Sequence, residues 1–559
     1  MSMHAPQPHP VKQMRAVASG LIEDGRADEA VETLLEALSE LVRQNAELSL
    51  LLQKLRASSR GATSERVSAE QLSLLALLLE SVDDGDESAP DSAEEARQDA
   101  ALDAEIAEAA DAAADDDTTC SDDESHDSPG ETKKTRTRNR WLDQEALDTE
   151  IVDHEPPADQ QDWERIGTEQ YTRLRFQPVR FYKEIHRVPV MRNPALDADG
   201  NTEIVADTTG VPPTLRPGSL AAADVIAGLI VNKYERHLPL HRISRAAMAD
   251  QEIHLPVSTL ADWAADGGAA CQRIAAVIGR SALQRWLVRT DATGLRVLDA
   301  AGATRGTIWC YVGWSREPDE PPDVCFVYTP TGQGETGPWA MLAGREGYVQ
   351  ADALNIYDRV FNGEVASAIE VGCLVHGRRK FVELMPAEHR AAYVVQLIRR
   401  AYRIETLADN KRLTVDERTE LRQTRTRPLF ERKLLPYLER LKNSDVPTAP
   451  IVGAATYMTN HWAALTRFLG DGGLPLDNNF VESQLRAVRL GENNYLFAGS
   501  HEAAARTAAV LTVLATCRAH GANTSDYLED LFTRLARPIA RDELETWTPG
   551  RWVQRRRAT

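Results

Sequence analysis

Residues 286–298 read Trp286-Leu-Val-Arg-Thr-Asp-Ala-Thr-Gly-Leu-Arg-Val-Leu298, and the runs Thr307-Ile-Trp-Cys-Tyr-Val312 and Val324-Cys-Phe-Val-Tyr328 come next. β-Branched and aromatic side chains dominate these segments and Gly or Pro turns part them, which is the pattern of β-strands. The first run is expected as two short strands, 286–291 and 295–298, divided at the Thr-Gly pair. Downstream the texture alternates: a helix over 339–342, a strand over 348–352, a helix over 354–361 and a strand over 369–375. From Arg378 on, nearly everything carries helical patterning.

The order βββ(β)-α-β-α-β is an RNase-H-like sequence of elements. Ahead of it, 221–262 reads as helices: Val225 to Lys233, His241 to Ala249, and Ser258-Thr-Leu-Ala-Asp-Trp263 with Ser258 as the expected N-cap. Three short helices suit a helix-turn-helix, although any small helical bundle shows the same pattern. Residues 141–218 alternate β-like runs, notably Arg173 to Arg187, with Pro and Gly turns. Near the start, Leu34, Leu41, Leu48 and Leu55 recur every seven residues, with Val31, Leu38, Asn45 and Leu52 on the companion seam. Leucines on one seam with a single Asn on the other fit a parallel two-stranded coiled coil.

At 559 residues the chain is expected to hold three to five folded units. Its net charge of −21 is concentrated: Asp83 to Asp127 holds 19 acidic residues against Arg97, a local −18 that leaves −3 for the rest. Residues 82–130 therefore read as an acidic, disordered linker, and their charge does not argue against a DNA-binding core. Lys133, Lys134, Arg136, Arg138 and Arg140 follow it and suit phosphate contacts or charge balancing equally. A second basic region, Arg399 to Lys442, carries 13 Lys/Arg against 7 Asp/Glu. That mixture suits a phosphate-facing surface or a solvated helical face. The six cysteines are scattered with no Cys-x-x-Cys pair, which suits reduced thiols in a cytoplasm. Residues 1–20 lack a secretory pattern, and the longest apolar runs, Leu74 to Leu79 and Val225 to Val231, fall far short of the about 20 residues a spanning helix needs. No phosphate loop, Gly-x-Ser-x-Gly elbow or zincin motif is present, since Ala505 stands where a zincin needs His after His501-Glu502.

Asp291 and Asp352 each end a strand run, and Leu476-Asp-Asn-Asn-Phe-Val-Glu482 offers a third acid. Carboxylates carried by a rigid sheet can hold hard divalent ions, and a metal pair suits in-line phosphoryl transfer. Each acid also has a plain structural reading: a turn residue at Asp291, a helix cap at Asp352, a capping box between Asn479 and Glu482.

Several segments together resemble the insertion-sequence transposases of the IS-sixty-six family. They are Asp471-Gly-Gly-Leu-Pro-Leu-Asp-Asn-Asn-Phe-Val-Glu-Ser-Gln-Leu-Arg486 with Asn494-Tyr-Leu-Phe-Ala-Gly-Ser500, Asp291-Ala-Thr-Gly294, Gly347-Tyr-Val-Gln-Ala-Asp352, Cys373-Leu-Val-His-Gly-Arg-Arg-Lys-Phe381, and Asn232-Lys-Tyr-Glu-Arg-His-Leu-Pro-Leu-His-Arg242. The resemblance covers roughly residues 220–550. It implies a DDE catalytic triad of Asp291, Asp352 and Glu482 holding two Mg²⁺ (or Mn²⁺) ions, in an enzyme that nicks element ends and joins the 3′-hydroxyl to target DNA. It further implies DNA contacts from His376, Arg378, Arg379, Lys380, Arg486 and Arg489. Expected partners are the terminal inverted repeats, target DNA, accessory proteins of the same element and a second copy held through Leu34, Leu38, Leu41, Asn45, Leu48, Leu52 and Leu55. No membrane is involved, and the expected location is the bacterial cytoplasm at the nucleoid.

The expected fold class is multidomain α and α/β. Residues 1–81 form a helical region with the zipper at 31–55, and 82–130 the linker. A zinc-binding-like module without cysteines occupies 131–218, and helices of helix-turn-helix type 219–275. The RNase-H-like catalytic domain spans 280–535 with a helical insertion at about 385–465, and a tail ends the chain at 536–559. Three departures from the family pattern stand out: Ala292 where Glu is usual, Glu492 and Asn493 where a basic pair is usual, and no cysteine between Cys120 and Cys271, so no structural zinc is expected. Two alternatives to an active transposase stay open: a non-catalytic DNA-binding relative, and a nuclease without strand transfer.

Overall fold

The computed structural model describes residues 92–116, 190–196, 202–206 and 212–558, the last stretch with short breaks at 252, 300–301, 318–319, 387 and 444–448. The zipper at 31–55 and the basic cluster Lys133, Lys134, Arg136, Arg138 and Arg140 lie outside the described residues.

In chain order the main elements are helix α1 (Ser92–Asp116), strands β1 (Val190–Leu196) and β2 (Thr202–Ala206), and helices α2 (Ala223–Ile230), α3 (Leu240–Gln251) and α4 (Val257–Gln284). Strands β3 (Leu287–Asp299), β4 (Gly302–Trp314), β5 (Asp323–Thr329), β6 (Tyr348–Ala351) and β7 (Ile369–Gly372) follow. Then come α5 (Leu374–Leu384), α6 (Arg390–Asn410), α7 (Val415–Leu421), α8 (Leu435–Lys442), α9 (Pro450–Asn460), α10 (Asn479–Tyr495), α11 (His501–Ala519) and α12 (Thr524–Leu535). The fold is mixed α/β, as the element order indicates. The described residues divide into two compact units: one lies within 92–114, 315–317 and 344–479, the other within 115–116 and 190–314, 320–343 and 480–558.

In the second unit β3, β4 and β5 form an antiparallel meander. The first run is one strand of 13 residues and not two. Thr293 and Gly294 stay in register opposite Ile308 and Thr307, so the long partner strand β4 holds them extended and no turn forms. One face of the meander, with Leu295, Val297, Ile308, Cys310, Val312, Val324 and Phe326, packs on Val481, Leu485 and Val488 of α10 and on Ala508, Leu511 and Ala515 of α11. An unpaired strand edge is a liability, and α11 covers that of β5. Thr512 and Thr516, one turn apart, accept from the Phe326 and Val324 amides at 2.8 and 3.2 Å.

Helix α4 is a departure from the expected short third helix. It runs 28 residues to Gln284, and Cys271, Ile274 and Ile278 sit fully buried against α2, α11 and α12. Gly313 of β4 comes so near α4 that a Cβ would lie 2.3 Å from the Ala282 carbonyl oxygen, which explains glycine inside a strand there. Pro256, not Ser258, occupies the N-cap of α4, and Ser258 falls within the helix. All five described cysteines are free and buried.

In the first unit β6 and β7 pair in parallel, joined through a short helical crossover. Helices α5 to α9 follow, and the stretch from α7 to α8 is interrupted by π-helical turns at Arg422–Thr426 and Phe430–Leu434. Arg422 is 1% exposed there. Its guanidinium binds Glu405 at 2.8 and 2.7 Å and donates to the carbonyls of Phe468, Asp471 and Leu474 at 2.9, 2.7 and 2.9 Å. The segment read as a disordered acidic linker is another departure: 92–116 within it is a helix, and 92–114 of it belongs to this unit.

Candidate active site

Asp291 lies in the middle of β3, opposite Cys310, and its Oδ1 accepts from the Ala292 amide at 2.7 Å. It is a strand residue, which removes the turn reading. Burial is the main influence holding the Cys310 thiol well above its ordinary range, and the charges of Cys325 and Asp291 add to it. Two residues before Asp291, Arg289 is 3% exposed. Its guanidinium lies 5.0 Å from the ring of Trp314 and 6.0 Å from that of Phe480, and the two rings meet edge-to-face at 5.4 Å. Phe480 belongs to the first turn of α10, as does Glu482. The cation and two rings thus pin the start of the helix carrying Glu482 to the strands carrying Asp291.

The far end of α10 is held equally firmly. Glu492 is buried, accepts from the Arg296 amide of β3 at 3.1 Å and pairs with Arg489 at 3.0 Å. The residue that replaces an expected cation is therefore a structural tie between α10 and β3. Arg489, expected on DNA, is engaged by it, while Arg486 is exposed. The segment Asn494–Ser500 has its own geometry: Leu496 takes φ +69°, and Ala498 exchanges backbone hydrogen bonds with β3 at Arg296 and Leu298 (2.9 Å each). Ser500 then caps α11 by accepting from Ala503 at 3.0 Å.

In the other unit, Asp352 follows the last residue of β6, at the carboxyl end of a parallel pair, where ligands of open α/β sheets collect. The loop 475–478 is laced to this end. Gln350 donates to the carbonyls of Gly372 and Pro475 at 3.3 and 3.0 Å, Leu374 N to Leu476 O at 3.0 Å, and Asn478 N to the Cys373 sulfur at 3.3 Å. Cys373 occupies the N-cap of α5, whose next turns carry half-buried His376, Arg378 and Arg379 and exposed Lys380. Lys380 Nζ sits 4.4 Å from the Tyr457 ring. Burial, then the charges of Cys373, Asp352 and Glu370, pushes the Tyr457 phenol up to about 12. Burial, with Asp477 beside it, also holds Tyr402 well above the phenol range, while Arg378 opposes the shift.

Asp477 is the residue the sequence undervalued. Its carboxylate accepts from the Asn479 amide at 3.0 Å and side chain at 2.8 Å, turning the chain into α10. Asn479 is the first helical residue, so the Asn479–Glu482 capping box does not form.

The three acids are divided between units, with Asp291 and Glu482 in one and Asp352 in the other. Among the described residues no group of three or more His, Cys, Asp or Glu is gathered closely enough to hold a metal ion. As donors, three carboxylates suit a hard divalent ion, but the assembled ligand shell is not displayed.

Residues 218–506, just over half of the chain, match the family described as Transposase IS66 family. The chain belongs to that family. Asp291, Asp352, Glu482 and the residues 376–380 all fall inside the matched span. Similar proteins occur in Sinorhizobium fredii (strain NBRC 101917 / NGR234). Uncharacterized protein y4hP is 28% identical over 363 residues, covering 61% of this chain and 64% of that protein. Uncharacterized protein y4qI is 28% identical over 413 residues, covering 72% and 74%. Uncharacterized protein y4jD is 27% identical over 359 residues, covering 61% and 68%. The match thus spans less than two thirds of y4hP. In the described part of this IS66-family chain, no helix is long and apolar enough to cross a membrane.

Proposed function

We propose that this chain is a DDE transposase that binds the ends of an insertion element, nicks them and joins the freed 3′-hydroxyl to target DNA. The observation that carries the proposal is the family match over 218–506, with Asp291, Asp352 and Glu482 inside it. The three carboxylates would hold Mg²⁺ or Mn²⁺, which when bound supply activation of the attacking oxygen and stabilisation of the leaving one. The protein's own part is placement. Arg289, Trp314 and Phe480 fix the start of α10, Asp477 sets its entry, and the β6–β7 end holds Asp352. His376, Arg378, Arg379, Lys380 and Arg486 are assigned to phosphates, with 280–535 as an RNase-H-like catalytic domain and the zipper as the dimer contact.

The test is a strand-transfer assay with labelled element-end DNA, a target plasmid, and Mg²⁺ or EDTA. Mg²⁺-dependent joined product is expected, with loss of joining but retained end binding in Asp352→Asn. Full joining by that variant would remove Asp352 from the triad. Nicks without joining would indicate the nuclease alternative. A second reading, a non-catalytic DNA-binding relative, is motivated by Ala292 where the family pattern has Glu and by the lack of any cysteine between Cys120 and Cys271. It predicts end binding indifferent to Mg²⁺, with no nicks. Glu492, the other departure from the family pattern, does not favour that reading, because its burial and pairing give it a structural reason to be there.

A further inference from the structure

Helix α1 lies on the basic helices of its own unit. Its apolar seam is narrow: Leu102, Ile106 and Ala109 meet Ile404, Leu407 and Leu421. So few buried aliphatic side chains must offset the ordering entropy of the whole helix. The rest of the contact is ionic. Asp99 binds Arg400 at 2.6 Å and Arg403 at 3.0 Å, and Asp103 pairs with Arg403. Glu105 takes Lys411 at 2.9 Å and both arms of Arg425 at 2.6 and 3.2 Å. Hydrogen bonds from Arg425 and Lys411 hold the Glu105 carboxyl down at about 2, against the opposing effect of burial.

Arg400, Arg403, Lys411 and Arg425 belong to the region whose 13 Lys/Arg outnumber 7 Asp/Glu. The helix meeting them has an acidic face. Asp99 to Glu105 spans about 9 Å along a helix axis. Duplex DNA presents one phosphate charge per about 1.7 Å of axis, so it can offer several anions over that length.

We propose that α1 is an intramolecular stand-in for nucleic acid: it covers a phosphate-binding face formed by Arg403, Lys411 and Arg425, and DNA must displace it to bind there. This rests on the reading of the chain as a DNA-binding protein. Its test measures binding and not joining, so loss of strand-transfer activity would not decide it. The outer ion pairs are partly exposed and therefore screened by salt, which makes the contact reversible. The more buried Asp99–Arg400 pair is left intact in the experiment.

The full chain carrying Asp103→Asn and Glu105→Gln is compared with wild type for binding a short labelled duplex of arbitrary sequence. About tenfold tighter binding is expected at about 50 mM salt, with a dependence of log K on log salt steeper by about 2. Adding Lys411→Ala and Arg425→Ala to that background should abolish the gain. A charge-matched control, Glu502→Gln with Asp542→Asn, changes two carboxylates on other elements and should leave affinity nearly unchanged. The proposal fails if the first variant binds no more tightly than wild type, which would make α1 a structural staple only. It also fails if the gain survives loss of Lys411 and Arg425, or if the control reproduces it, since net charge would then be the cause.

Discussion

Arg422 shows how little a residue's type says about its task. Counted among the cations of 399–442 it looks available for phosphate, yet it is buried, and its guanidinium is spent on Glu405 and three loop carbonyls. Only a planar guanidinium can serve a carboxylate and a cluster of carbonyls at once. Removing it would leave Glu405 with Arg418 as its remaining ion pair and strip the loop 468–474 of its donors. Arg422→Ala is expected to cost about 3–5 kcal/mol, and Arg422→Lys to recover only part of that, by urea unfolding. A loss below about 1 kcal/mol would place Arg422 among replaceable surface cations. Glu492 teaches the same lesson with the opposite sign. Sequence reading makes it a lost phosphate contact, whereas it is a buried acceptor for the β3 backbone. Sequence spacing carries no information on burial at either position, because the partners lie far away in the chain.

At the scale of elements, strands and helices were legible wherever local pattern and tertiary context agree. The runs 307–312 and 324–328 lie within β4 and β5, and the helices after residue 378 are present. The misreadings share a cause. Thr293-Gly294 has turn propensity but is held extended by pairing along β4. Residues 92–116 have the composition of a solvated coil but form a helix whose carboxylates find partners about 300 positions later, a separation no local window spans. Helix α10 was legible as a motif but not as a joint, since Arg289, Trp314 and Phe480 meet only in the folded unit. Phe480→Leu keeps most of the apolar volume and removes the ring. It should cost only about 1 kcal/mol in thermal stability, yet lower strand transfer about tenfold or more, because a misplaced helix start misplaces Glu482. Unchanged joining with lowered stability would reduce the aromatic cluster to core packing.

For the whole molecule, the decisive fact is that the candidate acids come from two compact units of interleaved sequence. A linear reading puts Asp291, Asp352 and Glu482 in one domain at 280–535, and all three fall inside the family match. Residues acting as one catalytic unit are grossly non-additive in rate. Asp291→Asn, Asp352→Asn and the double variant test this directly. The strand-transfer rate of the double should fall little further than that of either single. If the rate losses instead multiply, Asp291 and Asp352 do not serve one reaction centre, and the triad would have to be rebuilt with another carboxylate. Asp477 would be the first replacement to test, since it is the acid already held at the entry to α10.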